Sequence, residues 1–299
     1  MQSKIKNIDQ GILYMLMATL AFAFMSGFVK IISADLPPLE VAFFRNISGV
    51  LIITISLWKM PIVQKGGKPW LLFFRGFMGL LSLIAYFYNM ANIPLGEAVT
   101  YNKSAPLFLA FFAWVLLGEK LPRLALWALM FGFAGIILIA RPDGFVFDKY
   151  SLLGIFSAIG AALAYTSIRE LKNYYDVRSI ALSFMVVGTI GPMLLMGISE
   201  FVEPSESYDF IISRFIMPQG ITWLYLIAMG TFATASQLLM TKAYSLTKAG
   251  IIGTITYTQI IFAVIIGTIL GDQFPDIWTM LGIALVIIAG LLVMLPKDS

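Results

Sequence analysis

Apolar residues run along this chain in long unbroken blocks separated by short polar punctuation. A helix needs about 20 apolar residues to cross the hydrocarbon core of a bilayer. Ten blocks reach that scale. Eight hold no formal charge: Gly11–Val29, Gly76–Gly96, Leu124–Ala140, Tyr150–Ile168, Ser179–Ser199, Phe215–Thr241, Ala249–Gly271 and Ile277–Pro296. Two carry one cation each: Val41–Trp58 holds Arg45 and Ala98–Gly118 holds Lys103. Helix-breaking residues fall between blocks, at Pro37-Pro38, Gly66-Gly67, Pro94, Pro122, Pro142-Asp143-Gly144, Pro204 and Pro275. Most connections are short, which favours antiparallel neighbours. The longest, about 200–218, carries Glu200, Glu203, Glu206, Asp209 and Arg214. Lys4, Lys6 and Ala21-Phe22-Ala23 give the first block some look of a signal peptide, but its apolar run is longer than a signal core. It is read as a span.

The two halves of the pattern match in order. Leu117-Gly118-Glu119 and Pro122 recur as Leu270-Gly271-Asp272 and Pro275, 153 positions later. Gly11, Ala18, Leu20 and Ala21 match Gly154, Ala161, Leu163 and Ala164 at an offset of 143. The longer loop before the eighth block accounts for the difference. Each half holds five blocks. Five is odd, so the second half enters the bilayer from the opposite side. The expected fold is an all-α membrane protein of ten transmembrane helices in two inverted five-helix repeats, residues 1–146 and 147–299. Inverted repeats are a hallmark of secondary transporters, because exchange of conformation between related halves gives alternating access.

Composition agrees. Hydrophobic residues make up 60% and charged residues 12%, against about 45–50% and about 25% in soluble domains. With no Cys and no His, thiolate or imidazole metal sites, Cys nucleophiles and disulfides are excluded. The net charge of +4 is scattered between apolar blocks, unlike a nucleic-acid surface. Its placement orients the chain. With the N-terminus inside, Lys4, Lys6, Lys59, Lys65, Lys68, Lys120, Arg123, Arg169, Lys172, Arg178, Lys242, Lys248 and Lys297 are cytoplasmic; only Arg141, Lys149 and Arg214 fall outside. Both termini are therefore expected in the cytoplasm of an inner-membrane protein.

Glu40-Val41-Ala42-Phe43-Phe44-Arg45, Phe74-Arg75-Gly76, Pro106 and Leu117-Gly118-Glu119 resemble the drug/metabolite transporter superfamily, of the EamA type. The resemblance covers nearly the whole chain, and helices 2 and 3 look most like the branch of S-adenosylmethionine and riboflavin uptake carriers. It implies a central cavity between the halves and a substrate drawn from amino acids, nucleotide-like metabolites or vitamins. Lys103 departs from the small or neutral residues the resemblance implies there, which argues against a cationic substrate.

Ions inside a bilayer are costly and usually face a cavity or a partner. Lys103 sits roughly 10 Å below the surface at 1.5 Å per residue. The 153 offset maps Lys103 to Thr256 and Pro106 to Gln259, so both halves carry polar or irregular residues on an equivalent face. Lys103 either binds substrate, snorkels outward, or pairs with Glu97 through a bend at Pro106. Arg45 either binds a carboxylate or phosphate, or pairs with Glu40 or nearby carbonyls and fixes its helix. Arg75 is read as an anchor or gate near the interface, and Lys30 with Glu40 as an interfacial ion pair. Asn102, Tyr86, Gln237, Tyr257 and Gln259 complete the candidate substrate site; Asn89, Tyr101 and Tyr165 are further candidates, while Trp58, Trp70, Trp223 and Trp278 suit an interfacial belt. Gly267-x-x-x-Gly271, Gly76-x-x-Gly79 and Gly132-x-x-Gly135 are assigned to helix packing.

A secondary transporter of a small polar metabolite is the expected function, with an anionic or zwitterionic substrate favoured by the cations of helices 2–4. No acid lies at mid-depth, which favours facilitated diffusion or exchange over proton coupling. A non-transporting receptor or scaffold, or an intramembrane enzyme, is the alternative; no zincin, paired-aspartate or G-x-S-x-G motif supports an enzyme. No cofactor or metal is called for, and the partners are a small-molecule substrate and the bilayer, without nucleic acid.

Overall fold

A computed structural model describes residues 2–62, 64–117, 123–141, 147–201, 209–246 and 254–294. Gly118-Glu119, Lys120, Pro122, Pro142-Asp143-Gly144, Glu203, Glu206, Lys248, Ala249 and Lys297 of the sequence reading lie outside that set. The described residues form helices and turns, with no strand among them. The helices are α1 Gln2–Ile32, α2 Pro38–Lys59, α3 Pro69–Asn92, α4 Leu95–Lys103, α5 Ala105–Leu117, α6 Arg123–Ala140, α7 Lys149–Leu171, α8 Val177–Ile198, α9 Thr222–Leu246, α10 Thr258–Ile269 and α11 Ile277–Met294. Seven helices among the described residues are long and apolar enough to cross a membrane, and α10 and α11 add shorter apolar stretches. The protein is a multi-spanning all-α membrane protein.

Several expected spans shift among the described residues. The third starts at Pro69 rather than Gly76, because Arg75 is taken inside the helix and buried. The eighth starts at Thr222 rather than Phe215. Pro218 has no N–H to give a helix, and Gly220 turns the chain with φ +52°. The fourth is not one helix: it breaks at Ser104 into α4 and α5.

The helices gather into two compact units. One comprises Met1–Gly27, Ile93–Leu152 and Thr231–Ser299; the other comprises Phe28–Asn92 and Leu153–Gly230. Each unit takes helices from both halves of the sequence. In the first, α6 packs on α11 and α4 on α10; in the second, α8 packs on α2 and α3. The α6–α11, α4–α10 and α2–α8 contacts join helices at matching places in the two halves, a pattern consistent with an inverted repeat.

In the first unit, α6 and α11 approach backbone to backbone. A Cβ on Gly135 would stand 2.7 Å from the Gly282 carbonyl oxygen, and one on Gly282 equally close to that of Gly135. Small residues are the usual means of close helix contact in a bilayer, where water supplies no drive to associate. Leu107, Leu129 and Ala289 form the neighbouring core. Asp272 bonds the start of α4, its Oδ2 accepting from Leu95 N–H at 2.9 Å. A carboxylate suits the partial positive charge of a helix N-terminus.

In the second unit, Leu39, Leu80, Ile84 and Met196 make the core. The α2–α3 connection docks on the turn after α7: Gly66 N–H donates to Tyr174 O at 3.0 Å, and Lys68 Nζ reaches Glu170 Oε1 at 2.6 Å. Positive φ at Gly66 (68°) and Gly67 (125°) permits that path.

Candidate substrate site

The break in the first unit begins with Pro106. It cannot donate to the carbonyl four residues back, so α4 cannot run on unbroken past Asn102. Ser104 N–H bonds Thr100 O and Tyr101 O at 3.1 Å each, its hydroxyl donates to Tyr101 O at 2.6 Å, and α5 restarts with Leu107 N–H on Ser104 O at 2.9 Å. A second break precedes α10. Gln259 N–H bonds Thr256 O at 3.2 Å and Ile260 N–H bonds Tyr257 O at 3.0 Å, three-residue spacing in place of four. Ser104 and Tyr257 stand apart by the same 153 positions that relate the two halves.

The two breaks are also level. A Cβ on Gly96 would strike Val264, and one on Gly267 would meet Leu95 Cβ at 3.2 Å, so α4 and α10 run antiparallel. Seven residues on from Gly96 is Lys103; seven back from Val264 is Tyr257.

Several polar groups gather at these breaks. Lys103, the last residue of α4, meets no acceptor or carboxylate among the described residues, so the Glu97 pairing is not made. Gln259 is buried, with no described hydrogen bond to its amide. The Tyr257 hydroxyl is buried without a partner, and the ring packs where Gly290 leaves no Cβ. Asn102, Thr256 and Gln237 are partly buried in the same unit.

Arg45 and Tyr86 belong to the second unit. Tyr86 is buried, edge-on to Phe87. Arg45 does not pair with Glu40. It donates to Asn46 Oδ1 at 2.8 Å and lies over the Phe184 ring at 5.5 Å. Arg75 shares that ring at 4.7 Å and is only 9% exposed. Glu40, fully buried, accepts from Ile216 N–H at 2.9 Å and keeps Oε1 unpartnered, so the expected ion pair with Lys30 is replaced by a bond to the segment before α9.

Sequence reasoning missed how Arg45 is held. Pro192 lies inside α8 and has no N–H to donate to the Gly188 carbonyl. Asn46 Nδ2 donates to that carbonyl at 3.0 Å and to Ala42 O at 2.9 Å, which turns its Oδ1 to Arg45. A proline four residues after a glycine was the available signal. Gly79 was read as packing; it makes room for Arg75, since a Cβ there would lie 2.7 Å from Arg75 Nη1 and from Phe184 Cδ2.

The energetics of this cluster are one-sided. Arginine keeps its proton in a protein. Placing one at mid-bilayer costs about 2.5–3.5 kcal/mol on the lowest scales. A cation over an aromatic face returns about 0.5–2 kcal/mol. One ring cannot offset two guanidiniums.

The EamA-like transporter family matches this chain twice, over residues 9–141 and 148–295. The chain belongs to that family. It is 35% identical, over 96% of its length and 95% of the relative's, to an uncharacterised transporter of Helicobacter pylori. It is 31% identical to the pseudopaline exporter CntI of Pseudomonas aeruginosa, covering 94% and 95%. Solute carrier family 35 member G1 of Mus musculus is 27% identical, covering 93% of this chain and 76% of its own. A crystal structure at 22% identity superposes with a TM-score of 0.54 over 98% of this chain and 97% of the other, which speaks for the fold alone. This EamA-like chain is thus a membrane transporter and not an enzyme.

Proposed function

We propose that the chain is a secondary carrier that moves a small polar metabolite (an amino acid, an organic anion or a nucleotide- or vitamin-like compound) across the inner membrane by alternating access. On this reading ten helices form two inverted repeats, 1–146 and 147–299, with both termini cytoplasmic. The observation that carries it is the pair of helix breaks at Ser104 and Tyr257, level with each other and separated by the repeat offset. Discontinuous helices at corresponding places in two repeats are how such carriers expose backbone and side-chain groups to a solute. Lys103, Asn102, Gln237, Thr256, Tyr257 and Gln259 hold the substrate there; Arg45 and Tyr86, in the second unit, are further proposed substrate-binding residues. The pseudopaline exporter supports export as the direction. The likeness of helices 2 and 3 to S-adenosylmethionine and riboflavin carriers gains no support from these relatives.

The test is counterflow in proteoliposomes loaded with amino acids, organic acids and nucleosides, comparing wild type with Lys103→Ala and Gln259→Ala. Loss of one substrate class in both variants, with thermal unfolding unchanged, supports the site. Wild-type counterflow rates in both variants would remove the breaks from substrate binding.

A further inference from the structure

We propose that Arg45 and Arg75, with Phe184 as their shared floor, form a preassembled site for an oxyanion, a carboxylate or phosphate group. The inference rests on the carrier reading for the claim that the anion belongs to the cargo. The site itself stands on separate observations in the second unit.

Two like charges are held against one ring, at 5.5 Å and 4.7 Å. Each keeps a buried Nε–H with no hydrogen-bond acceptor. No carboxylate pairs with either among the described residues. The arrangement is built rather than incidental. Pro192 frees the Gly188 carbonyl, Asn46 is pinned to it, and Asn46 Oδ1 takes one Arg45 N–H. Gly79 clears the space Arg75 occupies beside Phe184. Tyr165 on α7, half exposed, lies within electrostatic reach of both guanidiniums and adds a hydroxyl. Adjacent cations repel unless an anion sits with them, and planar guanidinium forks match carboxylate and phosphate oxygens in pairs. The missing partner is therefore an oxyanion, and Asn46 acts as a positioning residue for it.

A soluble anion and the phosphate of an anionic lipid offer the same chemistry, so the experiment separates them. The full chain goes into nanodiscs of phosphatidylcholine alone, or of phosphatidylcholine with phosphatidylglycerol. Thermal unfolding is followed against succinate and inorganic phosphate. The expected result is stabilisation of wild type by succinate or phosphate in phosphatidylcholine. Apparent affinity falls roughly tenfold to a hundredfold in Arg45→Gln and Arg75→Gln. Arg45→Lys, which keeps the charge without the fork, retains part of the response. Asn46→Ala weakens succinate binding, while the ionic-strength dependence of that binding persists. Stabilisation only by phosphatidylglycerol, lost in both glutamine variants, supports the anion site and assigns it to lipid. Equal responses of wild type and folded Arg75→Gln to both anions and to the lipid overturn it. Lys103-dependent counterflow that survives in Arg75→Gln keeps the carrier and removes the anion from its cargo.

Discussion

Asn46 spans two tasks, closing the carbonyl that Pro192 leaves open and aiming Arg45. Asn46→Ala strands a buried carbonyl, which is expected to cost about 1–3 kcal/mol, read as a lower unfolding midpoint in detergent. Gly79→Ala pushes a methyl against Arg75 and Phe184; overpacking of this kind costs about 1–3 kcal/mol and is expected to depress anion binding as well as stability. At the surface, Lys68 holds the Glu170 carboxyl below its ordinary 4.5, and Glu170 holds the Lys68 amine above its ordinary 10.5. The carboxylate's contribution is present above 4.5 and disappears as pH falls through the lower, folded value. The amine's contribution is present below 10.5 and disappears as pH rises through the higher one. The unfolding midpoint of Glu170→Gln relative to wild type should thus be flat between those limits, converge with wild type in acid, and shrink with added salt.

Arg45 and Arg75 were both legible in the sequence as embedded cations, but the place of Arg75 within its helix was not, and the reason lies in how a helix start is read. A charge-free window must begin after Arg75, so the sequence pattern starts the span at Gly76 with the arginine at its rim. The helix begins at Pro69 and carries Arg75 more than a turn inside. The first break was partly legible, because Pro106 marks it. Thr256-Tyr257 contains no helix breaker, so only the repeat offset drew attention to it. Pro106→Ala restores the donor that α4 lacks. Removing an interior proline is worth up to about 3 kcal/mol in helix stability. The expected outcome is an unfolding midpoint equal to or above wild type together with reduced counterflow. A variant that transports as wild type would show the break to be a packing feature.

At the scale of the molecule, the sequence pattern places the charged loops, and the fold supplies positions at which that placement can be tested. The chain has no cysteine, so any introduced thiol is the sole reactive one. Phe201, 92% exposed, follows α8 in the longest connection, which the distribution of cations puts outside. Lys65 lies in the α2–α3 connection, which the same distribution puts in the cytoplasm. A membrane-impermeant maleimide should label Phe201→Cys in intact spheroplasts and Lys65→Cys only after permeabilisation. The two sites discriminate because the chain between them holds α3 through α8, and the repeat reading counts α4 and α5 as one broken crossing. That gives five crossings from Lys65 to Phe201, an odd number, and opposite sides. If α4 and α5 instead formed a re-entrant hairpin, the count would be even and both thiols would label together. The same pair of variants thus tests orientation and whether the broken helix completes its passage, the feature on which the proposed transport site depends.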